Sequence, residues 1–563
     1  MQKSCAQCQQ QFEIDNDELI FLNKISPTFA AQKFQIPTSV LCPWCRNRRR
    51  LAWRNERNLY RRKCDATGKE IITIYSPQSP YTVFDKDYWW SDKFDASEYG
   101  REFDYSKPFF DQFKALLLKV PRMALFNTNS ENCDYANYIG HGKDCYMTFI
   151  AYPENRSVHY SNWVFSCHDS VDLDICHRCE LCYECVQCYN AYNCSWCFRC
   201  TNCNDCLYSA QLKNCSYCLF STNLVNKKYY IFNNKYSEKE YFNYLKTLKL
   251  GSYQSQKNHI ATWKDLISKM IVRNLSMISC EDSLGDNLTK CKNVQYGFDC
   301  NDSQDCKYYF GSSGSNMYHS MGGETEWCYE VNNCGVGGSN YFFCSGCINC
   351  SNIWYSESCQ NCKDCFGCVG LKNRRNCIFN KQFSQEEYEK TVAKIIAHMQ
   401  KSAPQSGGCS VEWGEYFPLE LSIFGYNETM ANLHYPLSKE AAQKLNANWR
   451  EETAQINKSI IQATLSDSIE EADPEILKAT ISCINCRRAY RFIPQELDFY
   501  RKKNVPLPRL CYECRHLERF KFKNPYKLFT RNCGKCKAEI QTTYAPNRPE
   551  TVYCEKCYLA EIY

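Results

Sequence analysis

Between Cys176 and Cys218 cysteine recurs at every third position with only a few gaps. Cut into nines from Cys182, the text reads CYECVQCYN, AYNCSWCFR, CTNCNDCLY and SAQLKNCSY. The first column then holds Cys182, Ala191, Cys200, Ser209 and Cys218, and the seventh Cys188, Cys197, Cys206, Cys215 and Leu224. Small apolar residues at a fixed short period mark a stacked repeat, in which each unit buries its face only against its neighbours. The expected architecture is a β-solenoid of nonapeptide half-turns.

The register returns from Cys347 onward. Asn214 to Tyr241 aligns without a gap on Asn361 to Tyr388, with 11 of 28 positions identical, so the solenoid is an internal duplication. Each copy ends alike, in YSEKEY and FSQEEY, where Ser237 and Ser384 precede Glu240 and Glu387 by three residues. That spacing is a capping box. It predicts a helix closing each copy and blunting its open sheet edge.

Both termini carry paired Cys-x2-Cys knuckles. Cys5, Cys8, Cys42 and Cys45 have the spacing of a zinc ribbon, and four thiolates give a tetrahedral Zn2+ no open position, so the site is structural. Cys483, Cys486, Cys511 and Cys514 form a second set, and Cys533, Cys536, Cys554 and Cys557 a third, for about three structural zinc ions. Residues 42–88 align gaplessly with 511–557, 16 of 47 being identical. In the N-terminal copy the last four ligand positions read Cys64, Thr67, Asp85 and Tyr88. That segment is expected to keep the ribbon shape without metal, with Tyr81, Phe84, Tyr88, Trp89 and Trp90 as its core.

After Cys45 come nine basic residues and one acid before Cys64. Arg46, Arg48, Arg49, Arg50, Arg54, Arg57, Arg61, Arg62 and Lys63 interleave with Trp53 and Tyr60. Guanidinium forks beside aromatic faces suit phosphates and unpaired bases, which points to RNA or another polyanion. The competing reading is a solvated basic helix packed on the ribbon.

Elsewhere the pattern predicts a helix over 108–120, helical character between 251 and 279, an aromatic cap after the linker KSAPQSGGC, and an acidic helix over 466–481. The glycine-rich stretch from Gly311 to Gly338 lacks a phosphate-loop pattern, and GSSGSN and GGETEW fit turns between coils. The implied order is an N-terminal ribbon and basic segment (1–63), a degenerate ribbon and connector (64–130), solenoid copy 1 (131–250), a helical linker (251–279), solenoid copy 2 (280–400), the aromatic cap and linker (401–480), a ribbon (481–532) and a last ribbon (533–563).

The segment CINCRRAYRFIPQELDFYRKKNVPLPRLCYECRHLER resembles the small "probable zinc-ribbon" family, which implies zinc ligands at Cys483, Cys486, Cys511 and Cys514. The N-terminal ribbon is similar to a diverged form with a longer insert. Taken whole, and on FGYNET, EADPEIL and YAPNRPETVYCEKCY, the chain resembles a group of Cys-rich proteins of reduced-genome bacteria. That resemblance implies no activity.

Twenty-nine cysteines lie between Cys133 and Cys377. Cysteine is small enough to pack at repeated layers of a narrow stack. Metal or cluster binding is the rival, although in a strand a three-residue step alternates faces and spoils convergence unless a turn intervenes. Disulfides are a third reading. The opening MQKSCAQC shows no secretory signal, which with so many thiols suggests a reducing cytosol. No apolar run approaches a membrane span, and the formal charge of +6 names no partner. Nine scattered His fall in no catalytic motif. His168, His177 and Cys176 sit close together, but in a coil full of polar turns the His read as surface residues. The expectation is a mainly β protein with some α, non-enzymatic and zinc-binding, contacting nucleic acid. A protein-interaction scaffold using the solenoid, and a thiol-rich metal-buffering or redox protein, are the alternatives.

Overall fold

The computed structural model describes residues 1–402, 412–451 and 465–563. The linker KSAPQSGGC lies almost wholly outside them. The chain divides into two units, each of two segments: 1–125 with 275–452, and 126–274 with 453–563.

In the first unit a ten-stranded sheet runs in chain order from Met277–Ile278 to Lys381–Gln382. Neighbours pair in parallel until the closing hairpin of Arg375–Ile378 with Lys381–Gln382. The second unit holds parallel ladders from Asn127–Thr128 to Lys228–Ile231, closed by a hairpin at Asn234–Lys235. Pairing joins Ser195 to Leu207, Cys197 to Ser209 and Cys365 to Cys377. The stacking interval is therefore 12 residues, which corrects the nonapeptide reading.

The cause lies in the backbone. Leu181, Glu184, Gln187 and Asn190 all have φ between 50° and 54°, and such left-handed residues recur at every third position. Each turns the chain through a corner, so four three-residue sides close one coil. In the regular coils the residue after each corner points inward. Cys176, Cys179, Cys182, Cys185, Cys188, Cys194, Cys197, Cys200, Cys203 and Cys206 are accordingly at most 1 % exposed. A three-residue step does not alternate faces here, because a turn intervenes each time.

Hydrogen bonds between coils hold this conformation, which costs a non-glycine residue about 1–2 kcal/mol. Tyr183 N donates forward to Cys194 O at 3.0 Å, and Glu184 N back to Val171 O at 3.3 Å. Inward amides need inward acceptors. Cys182 N donates to Ser170 Oγ at 3.1 Å and Cys362 N to Cys350 Sγ at 3.2 Å, while Cys182 Sγ donates to Ala191 O at 3.4 Å. Thiol and hydroxyl groups thus serve the narrow interior as paired donors and acceptors.

From Gln304 to Asn332 the coils tighten to 11 residues, with Lys307 facing Tyr318 and Met317 facing Cys328, and the interval returns to 12 where Gly322 faces Cys334. GSSGSN and GGETEW each join one long strand to the next through a left-handed corner, Ser313 and Glu324, both with φ 54°. At Gly311 (φ 139°) a Cβ would meet Gly322 O at 1.8 Å, so the closer stack admits only glycine.

Both capping boxes form, at Ser237 with Glu240 and Ser384 with Glu387, opening the helices Glu238–Thr247 and Gln385–Met399. The helix over 108–120 is Phe109–Lys119. Its first amides donate to the Glu412 carboxylate at 2.8 Å, and Phe113 stacks on Phe417 at 4.7 Å, seating the aromatic segment. The stretch 253–269 is helical, but 466–481 is not an α-helix. Asp473 caps Glu475 N and Pro474 follows it, leaving two 3-10 turns, Ile469–Glu471 and Pro474–Lys478. Among the described residues no helix is long and apolar enough to cross a membrane.

Candidate metal centres

Three groups of four thiols could hold a metal ion. They are Cys5, Cys8, Cys42 and Cys45 in the first unit, and Cys483, Cys486, Cys511 and Cys514 with Cys533, Cys536, Cys554 and Cys557 in the second; in each, the sulfurs lie within 4.8 Å of one another. Cys8 Sγ is 3.7 Å from Cys42 Sγ, Cys486 Sγ 3.6 Å from Cys511 Sγ, and Cys536 Sγ 3.8 Å from Cys554 Sγ. Four metal–sulfur bonds of about 2.3 Å in a tetrahedron place sulfurs roughly 3.8 Å apart. The donor sets therefore fit Zn2+.

The local build is the same three times. A hairpin carries the first pair, and the second pair starts a helix: Cys42, Cys511 and Cys554 are N-caps of Pro43–Leu51, Tyr512–Phe520 and Glu555–Ile562. Helix N-termini favour thiolates. Amides also aim at sulfur, Cys42 N to Cys5 Sγ at 3.3 Å and Cys554 N to Cys533 Sγ at 3.2 Å. Burial opposes ionisation, yet the amides of Cys486, Cys511 and Asn485 bring the Cys483 thiol down to about 7, and those of Cys554, Cys536 and Lys535 bring Cys533 to about 6.

Residues 60–88 repeat the last module strand for strand. Tyr60–Lys63 pairs with Glu70–Thr73 as Phe529–Asn532 pairs with Glu539–Thr542. Asp85 N donates to Cys64 Sγ at 3.2 Å, the counterpart of the Cys554 contact. Aromatic packing fills the rest: Phe84 meets Tyr88 at 5.1 Å and Phe94 at 5.4 Å, and Trp89 is buried while Trp90 is exposed.

The basic segment turns mostly inward, which corrects the reading of Arg46, Arg49, Arg50 and Arg54 as phosphate contacts. Arg46, 1 % exposed, donates from Nη1 to Glu18 at 3.1 Å, from Nη2 to the Tyr329 hydroxyl at 2.6 Å, and from Nε to Glu330. Arg50 reaches Glu330 at 2.5 Å, Arg49 reaches Glu415 at 2.8 Å, and Arg54 pairs with Glu56 at 2.5 Å. Arg57 is buried, and Trp53 packs on Phe417 at 4.8 Å instead of offering a face to a base. Arg48 and Arg62 are half-buried on Gln7 and Asp65, leaving Arg61 and Lys63 exposed.

The second unit repeats the arrangement. Arg515 and Arg519, which align with Arg46 and Arg50, are buried against Asp172, Asp174, Glu184 and Glu496 at 2.5–3.5 Å. Sequence reasoning missed these carboxylates. The available signal was the identity of both Arg pairs in the twin alignment, and the placement of Glu18 and Glu496 ten residues after Cys8 and Cys486.

All described cysteines are free, and among the described residues the four-thiol groups are the three at the modules. His168 is exposed, and His177 stacks between Phe165 and Tyr189 at 4.5 and 5.0 Å. No family model matches the chain, and no curated protein matches it.

Proposed function

We propose that the chain is a non-enzymatic scaffold for protein partners, built on two β-solenoids and stapled by three zinc ribbons. The observation that carries this reading is a groove of about 730 Å3 in the first unit. Aromatic side chains Phe29, Trp327, Phe342 and Trp354 line it, with Glu326, Asp364 and Glu389 among its polar groups. Wide mixed clefts of this kind suit a polypeptide partner. The coil thiols support a packing role, since they are buried and donate to backbone carbonyls, as Cys179 Sγ does to Cys188 O at 3.4 Å. The described cysteines are all free, which fits a reducing cytosol. RNA binding draws less support, because six of the ten residues that would carry it are buried.

Native mass spectrometry of the full chain should give about three zinc ions. A discrete protein partner should be retained by the wild type and lost on Trp327→Ala with Glu389→Lys. Many more metals, or copurifying nucleic acid released steeply by salt, would overturn the reading.

A further inference from the structure

The last ribbon and its metal-poor twin are fixed to their units through the same joint. In the first unit Val83–Phe84 pairs in parallel with Arg122–Met123, the strand that precedes residue 125. In the second, Thr551–Tyr553 pairs in parallel with Ile271–Arg273, with Val272 facing Val552. The supporting bonds correspond: Ala124 N donates to Phe84 O at 3.0 Å, and Asn274 N to Tyr553 O at 2.9 Å.

What closes each joint differs. Behind Val83–Phe84 lies a hydrophobic plug, with Trp89 2 % exposed, its Nε1 donating to Pro121 O at 3.3 Å, and Phe94 packed on Phe84. Behind Thr551–Tyr553 stand the four thiols, followed by Glu555–Ile562, a helix without a buried residue. The strand pair itself is apolar, Val272 and Val552 being buried with Ile540 and Tyr544, but the helix that carries Cys557 adds no buried side chain of its own to that cluster. The cage is also the most open of the three. Cys536 is exposed and Cys554 and Cys557 are half-buried, whereas each other set exposes one cysteine, Cys8 or Cys486, and buries three.

We propose that the Cys533, Cys536, Cys554 and Cys557 site is the exchangeable one of the three, and that its occupancy sets the pairing of Thr551–Tyr553 with Ile271–Arg273. The inference rests on the zinc reading above. Binding converts four Cys thiols and one Zn2+ into a tetrathiolate complex and releases four protons to solvent. Removing the ion reverses this and leaves four sulfurs within 4.8 Å of one another with no bond between them, next to a helix that buries no residue of its own. The twin joint, closed by Trp89, is independent of metal.

The test uses the full chain, loaded with zinc and challenged with a chromogenic chelator. Native mass spectrometry counts ions, alkylation of released thiols assigns the site, and hydrogen exchange follows both joints. One ion should leave roughly tenfold faster than the others, freeing Cys533, Cys536, Cys554 and Cys557. Exchange at 271–274 and 551–553 should rise with it while 83–84 and 122–124 stay protected. A Cys557→Ser variant should show the same local exchange before any chelator is added, and Cys8→Ser should not. First release from either other site, or loss of this ion with 271–274 still protected, overturns the inference and leaves the zinc reading standing. A chain that neither carries zinc nor takes it up overturns the zinc reading itself.

Discussion

Arg50 Nη1 lies 2.5 Å from one carboxylate oxygen of Glu330, whose other oxygen takes Arg46 Nε, and all three side chains are about 1 % exposed. Two guanidinium groups on one buried acid pin the N-terminal four-cysteine module to the coil at Thr325–Phe342. Removing one partner of such a set leaves uncompensated buried charge, at a cost of about 3–5 kcal/mol. Glu330→Gln should lower the stability of its unit by about that amount in urea unfolding. Burial alone would raise the Glu330 carboxyl, but Arg46, Arg50 and Arg49 hold it far below the usual range. A depressed folded value means its contribution is complete above the unfolded value, roughly pH 4.3, and is lost as pH falls further. The variant should lack that part of the acid-induced loss. An unchanged acid limb would show that the pair carries little of the docking energy.

The interior thiols make a separate prediction. Cys350 Sγ accepts from Cys362 N at 3.2 Å and donates to Ile348 O at 3.2 Å, and the residue is 1 % exposed. Alanine at 350 leaves an inward amide unpaired, a penalty of about 1–3 kcal/mol, whereas serine can make both bonds. Cys350→Ala should therefore unfold at lower urea than Cys350→Ser. Equal or reversed costs would mean that the thiol acts only as filler.

The four-thiol groups were legible because each needs only two short spacings, and the capping boxes because Ser and Glu three apart satisfy amides within one turn. The 12-residue coil was not. Any multiple of a three-residue side gives Cys in register, so nonapeptide half-turns and a 12-residue coil fit the same text, and the pairing of Ser195 with Leu207 decides between them. The basic segment misled for a different reason. Nine cations in 18 residues look solvated until Glu18, Glu330 and Glu415 arrive from distant parts of the chain, and composition says nothing about where acids come to rest.

Corner residues give a third prediction. Asn190, Asn202, Asn214 and Asn226 have φ between 51° and 55° and hand one amide bond to the next coil, at 2.9, 3.0 and 3.0 Å. Asn202→Ala loses two rungs and puts alanine in a left-handed conformation that asparagine tolerates, about 1–2 kcal/mol for the conformation alone. Asn202→Gly loses the rungs but relieves the backbone. Thermal unfolding should rank wild type above glycine and glycine above alanine. Alanine matching glycine would remove the corner from the account.

Glu184 sets the pH response of the second unit. Burial pushes its carboxyl up to about 7 against the pull of Arg519, which it meets at 3.1 Å. Here the folded value lies above the unfolded one, so between roughly pH 4.3 and 7 the folded state binds more protons and stability falls as pH rises. Above that window both states are ionised and the destabilisation stays. Glu184→Gln removes this slope while leaving an oxygen for Arg519. Relative to wild type, the variant should therefore gain on the order of 3 kcal/mol between pH 4.5 and pH 8, measured by urea unfolding of the unit at both values. Burial also raises Glu496, so a shallower slope of the same sign should persist in Glu184→Gln and flatten in the Glu184→Gln, Glu496→Gln pair. A wild type whose stability rises across this window would show that the cluster around Arg519 and Arg515 is carried as full ion pairs at every pH tested.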